Sequence, residues 1–231
     1  MTIHLLTLFP KMFRGPFAES IIKRAQEKGL VEIKIHNLRD WAIDKRGTVD
    51  DRPYGGGAGM VLRVEPIYNA LHNLTGNSLT RNRKTILLTP RGKTFNQKKA
   101  RQLAKLDEII LICGHYEGFD ERIRKFVDEE ISLGNFVLTG GEIPAMAITD
   151  TIVRLLPGVL KKEKATTFES FSSGLKKLSP QLLTLNFGLL TEYPQYTRPE
   201  EFRGLKVPKI LLSGNHQKIL EWQKRKIKNK K

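Results

Sequence analysis

The segment Asp50-Asp51-Arg52-Pro53-Tyr54-Gly55-Gly56-Gly57-Ala58-Gly59-Met60 sets two carboxylates, a guanidinium and a phenol against four glycines in five residues. Glycines at that density disfavour helix and strand interiors, because each loses more conformational entropy on folding than any other residue. Flexible linkers pair glycine with serine, whereas these glycines lie between Arg-Pro-Tyr and Met-Val-Leu, so a functional loop is expected. Three further segments end apolar runs in small residues: Leu88-Thr89-Pro90-Arg91-Gly92, Cys113-Gly114-His115-Tyr116-Glu117-Gly118, and the stretch from Leu133 to Glu142. In open α/β sheets, ligands bind outside the carboxyl ends of the strands, where such loops meet. Amides and carbonyls without side chains in the way can hydrogen-bond a nucleoside, and the three loops together point to a cofactor pocket.

Familiar phosphate motifs are absent. No Gly-Lys-Ser/Thr follows a glycine run, and Gly55 to Gly59 lacks the dinucleotide spacing between strand and helix, which argues against a nucleotide triphosphatase or a standard dehydrogenase. Cys113 beside His115 raises the thought of a thiol nucleophile, but a cysteine ending an apolar strand is expected to be a small core residue. His4, His36, His72, His115 and His216 show no metal-ligand spacing, so no metal site is expected.

These loops need a frame. Ile3 to Phe9 and Val31 to His36 read as strands, separated by a helix from Glu19 to Lys28 that stops at Gly29. A short helix is expected to open at Glu65-Pro66. Thr85 to Thr89 and Glu108 to Cys113 are apolar runs of the kind found in buried parallel strands, with a basic helix from Asn96 to Leu106 between them. A further apolar piece runs from Asn135 to Leu138, and Pro144 opens a helix to about Leu156. Alternating strands and helices give an α/β fold with a mainly parallel sheet. From Lys161 to about Arg198 the chain turns polar and reads as a linker or mobile lid, and a small helical segment follows from Pro199. The expected division is therefore 1–160, 161–198 and 199–231.

The formal net charge is +16, and removing the six cations of Lys224 to Lys231 still leaves +10 on the body. A basic body points to a polyanionic partner, with nucleic acid ahead of an anionic membrane. No apolar run reaches the roughly 18 residues that span a bilayer. The opening Met1 to Leu6 lacks a basic region and a cleavage site and reads as a first strand, not a signal peptide. A single cysteine excludes an internal disulfide and fits a reducing, cytoplasmic location.

Six motifs occur in order: Asp50 to Met60, Cys113 to Arg122, Leu133 to Pro144, Arg154-Leu-Leu-Pro-Gly-Val-Leu160, Tyr196-Thr-Arg-Pro-Glu200 and Leu212-Ser-Gly-Asn-His216. Together they closely resemble the bacterial tRNA (guanine-N1)-methyltransferases of the knotted SPOUT class, over nearly the whole chain. The resemblance implies a C-terminal trefoil knot in the α/β domain, S-adenosylmethionine bound within it, and an obligate homodimer with active sites between subunits. It places the methyl donor on Leu88, Thr89, Pro90 and Gly92, on Gly114, Tyr116 and Glu117, and on Leu133, Gly134, Asn135, Phe136, Val137, Leu138, Gly140 and Gly141. It implies tRNA as substrate, methylated at N1 of the guanosine just 3′ of the anticodon. Asp50, Arg52, Tyr54, Gly55, Gly56, Gly57 and Gly59 then become substrate-side candidates, with the glycines forming a wall near the target base. The small helical segment 199–231 would bind RNA, and its basic tail either supplies phosphate contacts or is a disordered solubilising run.

Guanine N1 carries a proton at neutral pH, so transfer calls for a base and for stabilisation of the charge that develops on O6. The resemblance assigns these roles to the residues at Glu169 and Arg154, and leaves open help from Mg²⁺. Three departures from the family pattern stand out. The base position holds Glu169 instead of aspartate, one methylene longer. A Lys-rich and then apolar insertion is best placed at about Ser172 to Phe187. The chain also stops at Lys224 to Lys231, where the family continues into further helices. Asn135 and His115 replace the more usual aspartate and arginine. These departures carry the alternative readings: an RNA-binding protein of the same fold with weakened or lost catalysis, or a methyltransferase for another RNA.

Overall fold

The computed structural model describes residues 1–76, 82–178 and 190–229. In chain order the first elements are β1 (Thr2–Thr7), a 3-10 turn (Pro10–Phe13), α1 (Arg14–Phe17), α2 (Ser20–Glu27), β2 (Glu32–Asn37), a 3-10 turn (Leu38–Trp41), β3 (Asp50–Asp51) and β4 (Val61–Leu62). They continue with α3 (Val64–Gly76), β5 (Arg83–Thr94), α4 (Gln97–Leu103), β6 (Glu108–Cys113), a 3-10 turn (Glu121–Phe126), β7 (Glu129–Ser132) and α5 (Glu142–Val153). Five of the strands form one sheet in the order β2-β1-β6-β5-β7, parallel throughout.

Both faces of that sheet are covered, which is why its strands read as unbroken apolar runs and not as alternations. Ile3, Leu5, Ile86, Leu88, Ile109 and Leu111 bury against Ile22 of α2, Leu103 of α4 and Ala145, Ile148 and Ile152 of α5. Their neighbours Leu6, Leu87, Ile110 and Ile112 turn the other way, onto Ile67, Ala70 and Leu71 of α3 and onto Leu38 and Ile123. On the second face, the rings of His4 and His36 stack with centroids 5.1 Å apart, His4 Nδ1 lies 2.9 Å from His36 Nε2, and Glu108 lies 3.8 Å from His4.

Several expected elements shift. β1 ends at Thr7, whose Oγ1 accepts a hydrogen bond from the Phe9 amide as the chain enters the Pro10 turn. The helix expected at Glu65 is a full α3 of 13 residues. The segment Leu88 to Gly92 is a bulge within β5 and not a loop that ends it: both Leu88 and Lys93 pair with Ile131 of β7, so the strand leaves its partner and returns. Gly92 makes the return possible, because a Cβ there would lie 2.5 Å from the Ile131 amide nitrogen. Asn135 to Leu138 is a loop with Val137 83% exposed, and the strand is Glu129–Ser132 instead. Its two glutamates sit in the sheet because Lys84 and Lys99 pair with Glu129 and Arg124 with Glu130. α5 starts at Glu142, with Pro144 inside its first turn.

The chain divides into two compact units, Met1–Leu160 and Lys161–Lys231. The second holds a 3-10 turn (Glu163–Thr166), α6 (Ser173–Leu178), β8 (Leu190–Thr191), β9 (Glu201–Phe202), β10 (Leu205–Lys206), α7 (Lys209–Leu212), α8 (His216–Lys226) and β11 (Lys228–Asn229). Leu175, Leu190 and Ile227 bury together and β8 pairs with β11, so the polar stretch from Lys161 shares a small core with the C-terminal segment. The basic tail is therefore anchored through Ile227, and Asn215 caps α8 by accepting from the Lys218 amide. Part of the expected insertion forms α6, while Ser179 to Phe187 lie outside the described residues, as do Lys230 and Lys231.

Candidate functional site

At the carboxyl ends of β6 and β7, beside the β5 bulge and the start of α5, the chain encloses a cavity of about 400 Å³. That volume lies within the range of small-molecule sites. Of the residues singled out in the sequence, Leu88, Thr89, Pro90, Gly114, Tyr116, Glu117, Leu133, Phe136, Val137, Leu138, Gly140 and Gly141 line it. Gly92, Gly134 and Asn135 do not. Gly92 serves the β5 crossing described above, Gly134 sits beneath the Phe136 ring, where a Cβ would come within 2.8 Å, and Asn135 is exposed. The cavity also gathers His115, noted above for replacing the usual arginine, and residues given no role from the sequence, among them Arg91, Asp120, Glu121, Arg124 and Thr139. Most stand one to four residues from a chosen position, and the charge density of Asp120-Glu121-Arg122 was the available signal.

Backbone meets backbone at the floor. The Gly141 amide donates to the Gly114 carbonyl at 2.7 Å, and a Cβ on Gly141 would lie 2.6 Å from both Cys113 Cα and Gly114 N. Only glycine lets α5 begin this close to the end of β6. Gly140 is equally confined, with His115 Nδ1 and the Glu142 carboxylate where its Cβ would be. Glu142 itself is 2% exposed and accepts a hydrogen bond from Thr7 Oγ1 at 2.7 Å. Tyr116 holds φ at +58°, a conformation that side chains rarely adopt and that clusters at functional sites. Its ring meets His115 edge-on, and His115 in turn tilts against Phe9.

Charge is arranged around the rim. Arg122 donates from Nε and Nη2 to Asp120 and holds that carboxyl below its usual range. Glu121 is bridged by Arg91 at 3.2 Å and Arg124 at 3.0 Å, and Arg124 reaches on to Glu130. Burial, with a smaller contribution from the Glu142 charge, pushes the Cys113 thiol well above its ordinary pKa. Cys113 is thus a protonated core residue, not a nucleophile. Among the described residues, no group of three or more His, Cys, Asp or Glu side chains is placed to hold a metal ion.

The glycine-rich loop is the tip of a hairpin in which Asp50 pairs with Leu62 and Asp51 with Val61. Gly55, Gly56, Gly57 and Gly59 all have φ between +79° and +125°, the left-handed region open to glycine. Gly55 and Gly56 have open space around them, so conformation and not crowding selects glycine there. The base of the hairpin is fastened to the cavity wall: the Glu117 amide donates to Met60 O, Leu62 N to Gly118 O, and Asp120 N to Leu62 O. Asp50 is half-buried, and Arg52 and Tyr54 are exposed. Arg154, half-buried, caps the C-terminal end of α5 in the first unit.

Glu169 belongs to the second unit and is half-buried in a turn that the chain ties to itself. Ser172 N donates to Glu169 O, Ser172 Oγ to Thr167 O, Phe171 N to Leu190 O and Glu192 N to Ser170 Oγ. Gly174 packs against the Thr167 carbonyl with no room for a Cβ.

A family model described as tRNA (guanine-1)-methyltransferase TrmD matches residues 1–231. The chain belongs to this family. A tRNA (guanine-N(1)-)-methyltransferase of Citrifermentans bemidjiense is 53% identical over 226 residues, covering 97% of this chain and 84% of the relative. The enzyme of that name from Geobacillus kaustophilus is 54% identical, with 97% and 86% covered, and that from Bacillus subtilis 52%, with 96% and 86%. A crystal structure of tRNA (m1G37) methyltransferase from Aquifex aeolicus matches the fold with a TM-score of 0.76 at 40% identity, covering 97% of this chain and 88% of that one. Methyltransferase relatives at these identities disfavour the reading of an RNA-binding protein without catalysis. Among the described residues, no helix is long and apolar enough to cross a membrane.

Proposed function

We propose that this protein methylates N1 of the guanosine immediately 3′ of the tRNA anticodon, with S-adenosylmethionine as donor. The observation that carries this reading is the cavity at the strand ends in a chain that the tRNA (guanine-1)-methyltransferase family model matches from end to end. The lining fits the donor. Leu88, Leu133, Leu138 and Pro144 offer an apolar bed for an adenine, the glycine loops offer main-chain groups, and Glu117, Asp120 and Glu121 offer carboxylates to a cationic ligand. Bound there, S-adenosylmethionine supplies a methyl group already activated on a sulfonium.

The protein's own task is then the proton and the charge. Glu169, as general base, takes the proton from guanine N1 and frees its lone pair, a step worth roughly 10²–10⁴-fold. Arg154 neutralises the negative charge that grows on O6. The assembly that this reading implies is a knotted homodimer whose active sites lie between subunits. Segment 161–198 serves as the lid that carries the base, and 199–231 as the RNA-binding end, in a cytoplasmic enzyme.

Labelled S-adenosylmethionine, incubated with tRNA transcripts carrying guanosine or adenosine beside the anticodon, tests the proposal. Incorporation into the guanosine transcript alone is expected. Equal labelling of both, or of neither, would overturn it.

A further inference from the structure

The 3-10 turn Glu121–Phe126 has two working faces. Glu121 and Arg124 line the cavity already described, while Arg122, Lys125 and Phe126 line a second hollow of about 390 Å³ against α3. Its α3 wall includes Tyr68, whose ring meets Phe126 edge-on with centroids 4.9 Å apart. The row extends one helical turn to His72, at 6.2 Å from Tyr68. Both aromatic rings stay substantially in solvent, Tyr68 at 42% and Phe126 at 46% exposure. Apolar rings left open in this way mark a binding surface more than a core.

Two cations, Arg122 and Lys125, and one carboxylate, Glu65, stand around the rings. Asp120 grips Arg122 through Nε and Nη2, which fixes the guanidinium. Glu65 of α3 also lines the hollow, and it pairs with Arg63 at 3.6 Å. Lys125 has no ion-pair partner among the described residues.

Exposed rings for bases, beside fixed cations for phosphates, are the chemistry of single-stranded nucleic acid binding. We propose that the Tyr68–Phe126 hollow is a second RNA site, holding an unstacked nucleotide of the tRNA loop that flanks the target guanosine. Lys125 and Arg122 take its phosphate, and the turn Glu121–Phe126 separates this nucleotide from the reacting one. The inference rests on the tRNA methyltransferase reading.

The test uses the full chain and an unmodified tRNA transcript carrying the target guanosine. Tyr68→Ala and Phe126→Ala should each weaken tRNA binding roughly 5- to 100-fold, the range for loss of one stacked base. Lys125→Gln should weaken it and flatten the dependence of log affinity on log salt by about one unit, which a merely structural residue would not do. S-adenosylmethionine affinity by calorimetry and the melting temperature should stay at wild-type values. Unchanged tRNA affinity and salt slope in all three variants would overturn the proposal, as would conversion of a variant to monomers, which would make the hollow a subunit contact. Failure of the wild-type protein to bind or methylate the transcript would count against the enzyme reading instead.

Discussion

Glu169→Gln keeps the shape of the side chain and removes its basicity, so kcat is expected to fall roughly 10²–10⁴-fold. Calorimetry should find S-adenosylmethionine affinity within about twofold of wild type. Wild-type turnover in that variant would remove Glu169 from the role of base. The hydrogen-bonded turn around Glu169 fixes where the longer side chain starts, and a displacement of about 1 Å costs on the order of 10²-fold. A second residue-level prediction concerns His4 and His36, which the catalytic reading does not use. Burial foremost, then the neighbouring His4, lowers the pKa of His36 from 6.5 to about 4, and burial lowers that of His4 as well. A depressed folded-state pKa means the unfolded chain takes the proton first. The stability from keeping this pair neutral is complete above pH 6.5 and is lost as pH falls toward 4. After discounting for partial exposure the loss is on the order of 2 kcal/mol. Thermal melts between pH 7 and pH 4.5 should show it, with His36→Gln flattening the slope.

At the scale of elements, glycines at two kinds of site predict two kinds of damage. Gly141→Ala drives a Cβ into the Cys113–Gly114 backbone, which cannot give way as a side-chain tip would. A cost of about 1–3 kcal/mol is expected, with the start of α5 displaced and donor binding lost. Gly56→Ala meets open space and pays only for its left-handed backbone, about 1–2 kcal/mol. Melting temperatures of both variants, with donor affinity for each, separate the cases. Elements were legible where burial made them uniform: β6 is apolar from Ile109 to Cys113 because strands flank it on both edges and the sheet is covered on both faces. β7 was not legible, since Glu129 and Glu130 become strand residues only through cations from other elements. The bulge in β5 escaped notice for a similar reason, because it depends on how closely Gly92 passes β7. The cavity's glycines could be found from composition. The place of Arg91 in its rim could not, because its bridge to Glu121 joins segments 30 residues apart.

For the whole molecule, the body charge of +10 outside the C-terminal tail sets the terms of tRNA binding. Phosphate contacts release counterions, so raising salt from 50 to 200 mM should lower tRNA affinity roughly 100-fold or more. Fluorescence titrations across that range check this, and a flat response would remove the phosphate backbone as the main source of affinity. The sheet carries one further consequence, for the chain as it is made. β1 can pair with β2 as soon as both have emerged, but its other edge is reserved for β6, whose residues begin 71 positions after β2 ends. At synthesis rates of about 5–20 residues per second, that edge stands open for roughly 4–14 s on the ribosome. The central strand of the finished sheet arrives late, so the nascent chain must pass through an interval in which its first strand is half-paired and open to unwanted partners.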